Sequence, residues 1–245
     1  MSGEPLFSVT GLRVELETEA GVVPAVDGAS FAVEAGRALA IVGDAGAGKT
    51  MTLLAALGLI DHPDVRIGGE VRFDGTDLLS LDRELLRRLR GDAIAIVLSE
   101  RDGSLHPRRT VGDQAAEAIR AHRPVSAPAA RDRAIDLLER VGIPDPHRLV
   151  DDYPHQLSAV LRRRAMIAMA LAGEPRLLIV DEPAAALDLT DQTKILALLG
   201  ELGRSDLTMV LATRELGLAA QLADEVAIMR AGRIVEEAST ERLLA

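Results

Sequence analysis

Gly43-Asp44-Ala45-Gly46-Ala47-Gly48-Lys49-Thr50 lies between a short apolar run, Ala38-Leu39-Ala40-Ile41-Val42, and an apolar stretch of helical character that begins at Thr50-Met51-Thr52-Leu53-Leu54. The apolar run is bounded by Gly36 and Gly43 and reads as a buried strand. Strand, glycine-rich loop and helix in that order make a phosphate cradle. Glycines let backbone N–H groups close around phosphate oxygens, and the helix N-terminus adds the positive end of its dipole. Lys49 reaches the terminal phosphates and the Thr50 hydroxyl is of the type that ligates Mg²⁺. The binding set runs from Gly43 to Met51. A plain glycine turn carrying a lysine is the competing reading, and the strand-then-helix context argues against it. Lys49 and Lys194 are the only lysines among 28 basic residues. A lysine kept at 49 suits a compact point charge facing phosphate.

A second stretch belongs with the first. Leu177-Leu178-Ile179-Val180 ends in Asp181-Glu182-Pro183, which puts two carboxylates at the C-terminal edge of a buried strand, where ligands of open α/β sheets gather. Asp181 is expected to hold Mg²⁺, directly or through water, and Glu182 to orient or deprotonate an attacking water. A strand ending in solvated acids is the alternative, and it loses weight beside a phosphate loop upstream.

Composition narrows the setting. With 245 residues, the chain is long enough for one large α/β domain or for one domain with an inserted subdomain. It has no cysteine, so disulfides and thiolate metal sites are excluded. No apolar run reaches about 18 residues and no signal peptide opens the chain, so direct membrane insertion and export by the usual route are not expected. A net charge of -10 repels nucleic-acid phosphates, and aromatic residues at 2% leave few bases' worth of stacking surface, so no nucleic-acid partner is expected. The five histidines show no metal spacing.

Along the chain, residues 6–16, 22–33 and 70–73 alternate or cluster apolar side chains between glycine turns, the pattern of an antiparallel β layer. The period then changes. Helices are expected over 81–89, over 111–141 with a break at 124–128, and over 159–171. A strand is expected over 93–98. From 177 onward strands (177–180, 208–212, 225–229) alternate with helices (190–202, 216–222), as parallel-sheet units do. No internal repeat is visible.

Four further phrases, residues 25–31 (Ala-Val-Asp-Gly-Ala-Ser-Phe), 151–158 (Asp-Asp-Tyr-Pro-His-Gln-Leu-Ser), 181–188 (Asp-Glu-Pro-Ala-Ala-Ala-Leu-Asp) and 231–236 (Ala-Gly-Arg-Ile-Val-Glu), complete a resemblance that covers nearly the whole chain in order. The chain resembles the ATP-binding subunits of ABC transporters, most closely the peptide and nickel importer branch. The resemblance implies an α/β fold: a P-loop NTPase (RecA-like) core with an antiparallel β subdomain and an inserted α-helical subdomain. It implies a single ATP-binding domain over 1–245, with the core and β subdomain in 1–98 and 172–245 and the helical subdomain in 99–171. The implied cofactors are ATP and Mg²⁺. The implied partners are a second ABC ATP-binding subunit in a heterodimer, transmembrane permease subunits and an extracytoplasmic substrate-binding protein, with the chain peripheral on the cytoplasmic face of the cell membrane. Subunits pack head to tail in this family, each ATP lying between one subunit's phosphate loop and the other's signature segment. Ser158 is thereby expected at the partner's nucleotide. Asp188 either faces the partner subunit or caps the helix that follows. Peptide importers of this branch often continue past the position of Ala245, so this chain reads as a shorter subfamily or a truncated chain.

Departures from the family pattern bear on catalysis. Ser99 stands where the family has a glutamine; it is shorter and has no amide to reach metal and water. The signature Leu-Ser-Gly-Gly is here Leu157-Ser158-Ala159-Val160, so two glycines have gained Cβ atoms and Val160 is branched as well. Arg214 stands where the family has a histidine; it only donates and stays charged, so it acts either as a built-in arginine finger on the γ-phosphate or pairs with a carboxylate such as Glu215 or Glu182. Leu16 lies near where the family stacks an aromatic ring on adenine and offers apolar contact without π stacking. These changes predict firm binding of Mg²⁺·ATP with slow or partner-dependent hydrolysis. Three functions stay open: an energising importer subunit, a regulatory nucleotide-binding subunit of the same assembly, and a soluble non-transport ABC ATPase.

Overall fold

The computed structural model describes residues 4–99 and 105–243. The chain divides into two compact units, one formed by residues 1–87 with 203–245 and the other by 88–202.

In the first unit, β1 (Phe7–Thr18) and β2 (Gly21–Val33) form an antiparallel pair, and β1 also pairs antiparallel with a later strand, β4. In β1 burial alternates at Phe7 and Val9 and again at Leu12 and Val14, with one extra residue at the register shift between the two pairs, and Phe7 and Val9 pair with Val33, Phe31 and Val71. The third strand, β3 (Ala38–Val42), is buried at all five positions. It leads through the glycine loop into α1 (Lys49–Ala56). Then come β4 (Val65–Phe73), β5 (Thr76–Asp77) and α2 (Arg83–Leu89). β4 begins five residues before the predicted 70–73 segment. Gly68 and Gly69 interrupt the apolar pattern there, and a register shift falls between the Thr10 and Arg13 pairs. Gly69 has φ +112°, and a Cβ on it would meet Gly11 O at 2.8 Å, so glycine lets β4 run past a bulge in β1, where residues 11 and 12 stand opposite residue 69, rather than ending the strand.

The second unit opens with β6 (Ile94–Val97), followed by α3 (Val111–His122), α4 (Ala127–Arg140), α5 (Pro146–Leu149) and α6 (Ala159–Ala170). β7 (Leu177–Asp181) runs parallel to β6, in register from Ile94–Leu177 to Val97–Val180, and α7 (Leu189–Gly203) follows. The expected break at 124–128 separates α3 from α4. Thr110 and Ser126 cap the two helices through their hydroxyls, accepting from Asp113 N and Ala129 N, and Pro128 occupies the first turn of α4. The core between them is built from Ala115, Ile119, Ala130, Ala134 and Ala172. Small side chains let the two helix backbones approach closely.

The chain returns to the first unit with β8 (Thr208–Thr213), α8 (Leu216–Leu222), β9 (Glu225–Arg230), β10 (Arg233–Ser239) and α9 (Thr240–Leu243). β3 is parallel to both β8 and β9, with Ile41 opposite Ala212 and Ala227. β10 closes the series by pairing antiparallel with β9. Among the described residues no helix is long and apolar enough to cross a membrane.

Candidate functional site

The phosphate loop sits in the first unit, held to the sheet at both ends. Gly43 N donates to Thr213 O at 3.1 Å, and Gly232 N donates to Ala47 O at 2.8 Å. The backbone path is tight: a Cβ at Gly43 would lie 2.3 Å from Met229 O, and one at Gly48 would lie 2.7 Å from Ala25 O with φ at +105°. Glycine is required at both positions by close approach, and at Gly48 by its dihedral angle as well. Lys49 is 5% exposed, and its Nζ donates to Gly43 O at 2.6 Å and Asp44 O at 3.1 Å, which seats the ammonium inside the ring of the loop. Asp44, Ala45 and Gly46 are exposed, whereas Ala47 is buried. Helix α1 has no side-chain cap and no acid in its first turn, and Thr50 and Met51, both half-buried, lie in that turn. First-turn amides of an α-helix have no partner within the helix, so the loop and helix end together present donors and positive charge to an anion. A built cradle, a seated ammonium and an uncapped helix end fit a nucleotide's phosphates, and the Thr50 hydroxyl adjoining them is a hard oxygen of the kind Mg²⁺ takes.

Two contacts that support this loop are not evident from the motif. Thr52 is fully buried and donates its hydroxyl to Gly48 O at 2.9 Å, fixing the last loop carbonyl. Thr213 supplies the anchoring carbonyl for Gly43 and accepts from Glu215 N through its hydroxyl at 3.1 Å. A threonine outside the glycine motif gives no sequence signal by itself, since Thr occurs in both strand and helix. Arg214 follows Thr213 and is exposed. Leu16 is half-buried in β1, paired with Val23 on β2 and Val65 on β4, so it belongs to an apolar strip on the antiparallel sheet.

In the second unit, β7 delivers Asp181 to its end at 1% exposure. Glu182 follows, half-buried, with φ at +47°. A non-glycine residue in the left-handed region is strained by about 1 kcal/mol, and such strain is tolerated where it aims a side chain. Ser99 is half-buried, two residues past β6. The carbonyl just before it, Leu98 O, accepts from Nη1 of Arg163 at 3.3 Å. Arg163 is 1% exposed on α6, so a buried guanidinium ties the helix that Ser158 begins to the segment carrying Ser99. It is the middle one of three consecutive arginines, and its burial is what distinguishes it from half-buried Arg162 and Arg164.

Ser158 caps α6, accepting from Leu161 N at 3.4 Å, and its side chain is exposed. Val160 is 7% exposed and turned inward, whereas Ala159 is half-buried. The added bulk of Val160 therefore enters the packing of its own unit, and Ala159 carries the steric change toward the helix end. Asp188 caps α7: its Oδ1 accepts from Asp191 N at 2.8 Å at the start of the helix. Next to it Leu189 is 81% exposed. Replacing Asp188 by alanine is expected to cost about 1 kcal/mol and lower the melting temperature by about 2–4 °C, with Asn, which also caps, leaving it unchanged in a calorimetric scan.

The ABC transporter family pattern matches residues 26–185, a span that contains both the phosphate loop and the Asp181-Glu182 pair. The chain belongs to the ABC transporter family. It is 42% identical to the dipeptide transport ATP-binding protein DppD of Haemophilus influenzae over 96% of this chain and 72% of that protein. It is 40% identical to the oligopeptide transport ATP-binding protein OppD of Bacillus subtilis over 97% of this chain and 67% of that one. Among solved structures, cbiO1 from Clostridium perfringens, part of the ABC transporter complex cbiONQ, superposes with a TM-score of 0.80 at 25% identity, covering 99% of this chain and 91% of that chain. A dimeric bacterial ABC transporter cassette, MJ0796, matches in fold with a TM-score of 0.84 at 24% identity over 96% and 98% of the two chains. The chain is thus a P-loop ATPase of the ABC class with the expected α/β fold.

Proposed function

We propose that the chain is the ATP-binding subunit of a peptide-importing ABC complex, peripheral on the cytoplasmic face of the membrane beneath transmembrane permease subunits. A second ATP-binding subunit and an extracytoplasmic substrate-binding protein complete the assembly. The observation that carries this reading is similarity over 96–97% of this chain, at 40–42% identity, to ATP-binding proteins of dipeptide and oligopeptide transport. The seated ammonium of Lys49 supports the nucleotide part of it. In this reading residues 1–98 and 172–245 are the core and β subdomain, and 99–171 the helical subdomain, of one cassette.

The residues divide the work as follows. Amides of the loop from Gly43 to Met51 bind phosphate oxygens and Lys49 neutralises the terminal charge. Thr50 and Asp181 would hold Mg²⁺, which would polarise the terminal phosphoryl group of bound ATP for transfer to water. Glu182 orients that water and takes its proton. Leu16 lies against the adenine, and Ser158 and Asp188 serve the nucleotide shared with the partner subunit. Arg214 donates to the γ-phosphate. Ser99 and Ala159 weaken turnover without weakening binding, because they alter groups that engage water and γ-phosphate rather than the cradle. The same substitutions favour, as a second reading, a regulatory subunit whose ATP holds the dimer closed.

Affinity purification of the tagged chain from detergent-solubilised membranes tests the assembly. The expected result is co-purification of two permease chains and a second, non-identical ATP-binding subunit. Recovery only as a soluble monomer or homodimer, without permeases, contradicts the proposal.

A further inference from the structure

A cavity of about 270 Å³ opens in the second unit between α3, α4 and the segment after α6. Its floor is apolar, made by Ile119, Leu137 and Leu171. Its rim carries Arg123, Arg133 and Arg140 against Asp136 and Glu174, an excess of one positive charge in a chain whose net charge is -10. Arg123 is already engaged: it donates to Gly173 O at 2.8 Å and pairs with Asp92 at 3.5 Å and Glu174 at 3.8 Å. Arg133 and Arg140 are not. Among the described residues neither guanidinium enters a hydrogen bond or ion pair, although Asp136 lies three and four residues away on the same helix. The two arginines are seven residues apart, two turns or about 10 Å along α4, with Leu137 on the helix face between them.

From this arrangement we propose that the cavity is a binding site for a small apolar carboxylate: a body of about ten heavy atoms on the Leu137 floor, its carboxylate held by Arg133 or Arg140. Arginine is the side chain whose planar fork matches a carboxylate, and an apolar floor with few convergent polar groups is the composition of small-molecule sites. The volume lies just below the range of about 300–1,000 Å³ for such sites, which limits the ligand to one acyl chain or one terminal residue of a peptide. All the lining groups belong to the second unit, whereas the phosphate loop belongs to the first.

The test titrates the full chain with octanoate, with N-acetyl-leucine and with N-acetyl-leucinamide by calorimetry, with saturation-transfer NMR as a second readout. Octanoate or N-acetyl-leucine is expected to bind with a dissociation constant below about 1 mM. The amide, and the acids with the double variant Arg133→Gln/Arg140→Gln, are expected to bind at least tenfold more weakly. Both arginines are exposed, so the variant should keep its melting temperature within about 2 °C. Tighter binding of octanoate assigns the site to fatty carboxylates; tighter binding of N-acetyl-leucine assigns it to peptide C-termini. Equal binding of acid and amide, affinity unaffected by the double variant, or no binding of either acid at about 10 mM overturns the proposal.

Discussion

Replacing Lys49 with alanine is expected to weaken ATP binding by at least about 100-fold. The ammonium is 5% exposed and held between Gly43 O and Asp44 O at 2.6 and 3.1 Å, so the residue does two things at once. It brings a charge to the phosphates from a site poor in water, where one charge-assisted hydrogen bond is worth about 1.5–3 kcal/mol, or roughly one to two decades in affinity. It also braces the loop internally, and that brace is lost with it. Lys49→Arg is expected to rescue little: the planar guanidinium is broader than an ammonium, and the site between two backbone carbonyls is built for a point charge. Equilibrium binding of a fluorescent ATP analogue to the purified chain measures both. Affinity within threefold of wild type would show that the loop is not the nucleotide site. Gly48→Ala gives the complementary result by geometry alone, because the new Cβ would lie 2.7 Å from Ala25 O on a backbone at φ +105°.

The elements that bear the chemistry were the easiest to read from sequence, and for a physical reason. β3 and β7 are buried at every position and β8 likewise, so each is an uninterrupted apolar run that must be closed by a turn, and the turns carry the motifs. The antiparallel strands β1 and β2 were legible by alternation. β10 was not predicted as a strand: its residues are mostly exposed and four of seven are charged or hydroxylated, as suits an edge strand whose pairing is backbone-driven. α5 is too short to show a helical period. At the site, backbone geometry rather than residue type was the hidden variable. Nothing in Asp181-Glu182-Pro183 announces that Glu182 sits at φ +47°, and nothing in Ala159-Val160 announces that the valine points inward. Arg163 was hidden by its neighbours, since three successive arginines read as a solvated face until burial separates them.

Glu182 gives the second large effect, conditional on its surroundings. If this chain's own site were the engine, Glu182→Gln would remove a general base and cost about 10²–10⁴ in turnover. We expect less than a twofold loss in the assembled complex, because Ser99 cannot reach water and metal as a glutamine does and Arg214 cannot accept a proton. Restoring those two groups should reverse the outcome. In the double variant Ser99→Gln/Arg214→His, ATP turnover of the assembled complex is expected to rise, and Glu182→Gln introduced on top should now abolish the gain and cost at least about tenfold. The comparison isolates chemistry from folding, since Ser99 is only half-buried and Arg214 is exposed. A near-complete loss of activity on Glu182→Gln in the otherwise native chain would refute impairment and identify this site as the one that drives transport. Glu182 stands on a strained backbone at φ +47°, of the kind that clusters at functional sites, and what the substitutions test is whether its surroundings let its carboxylate act.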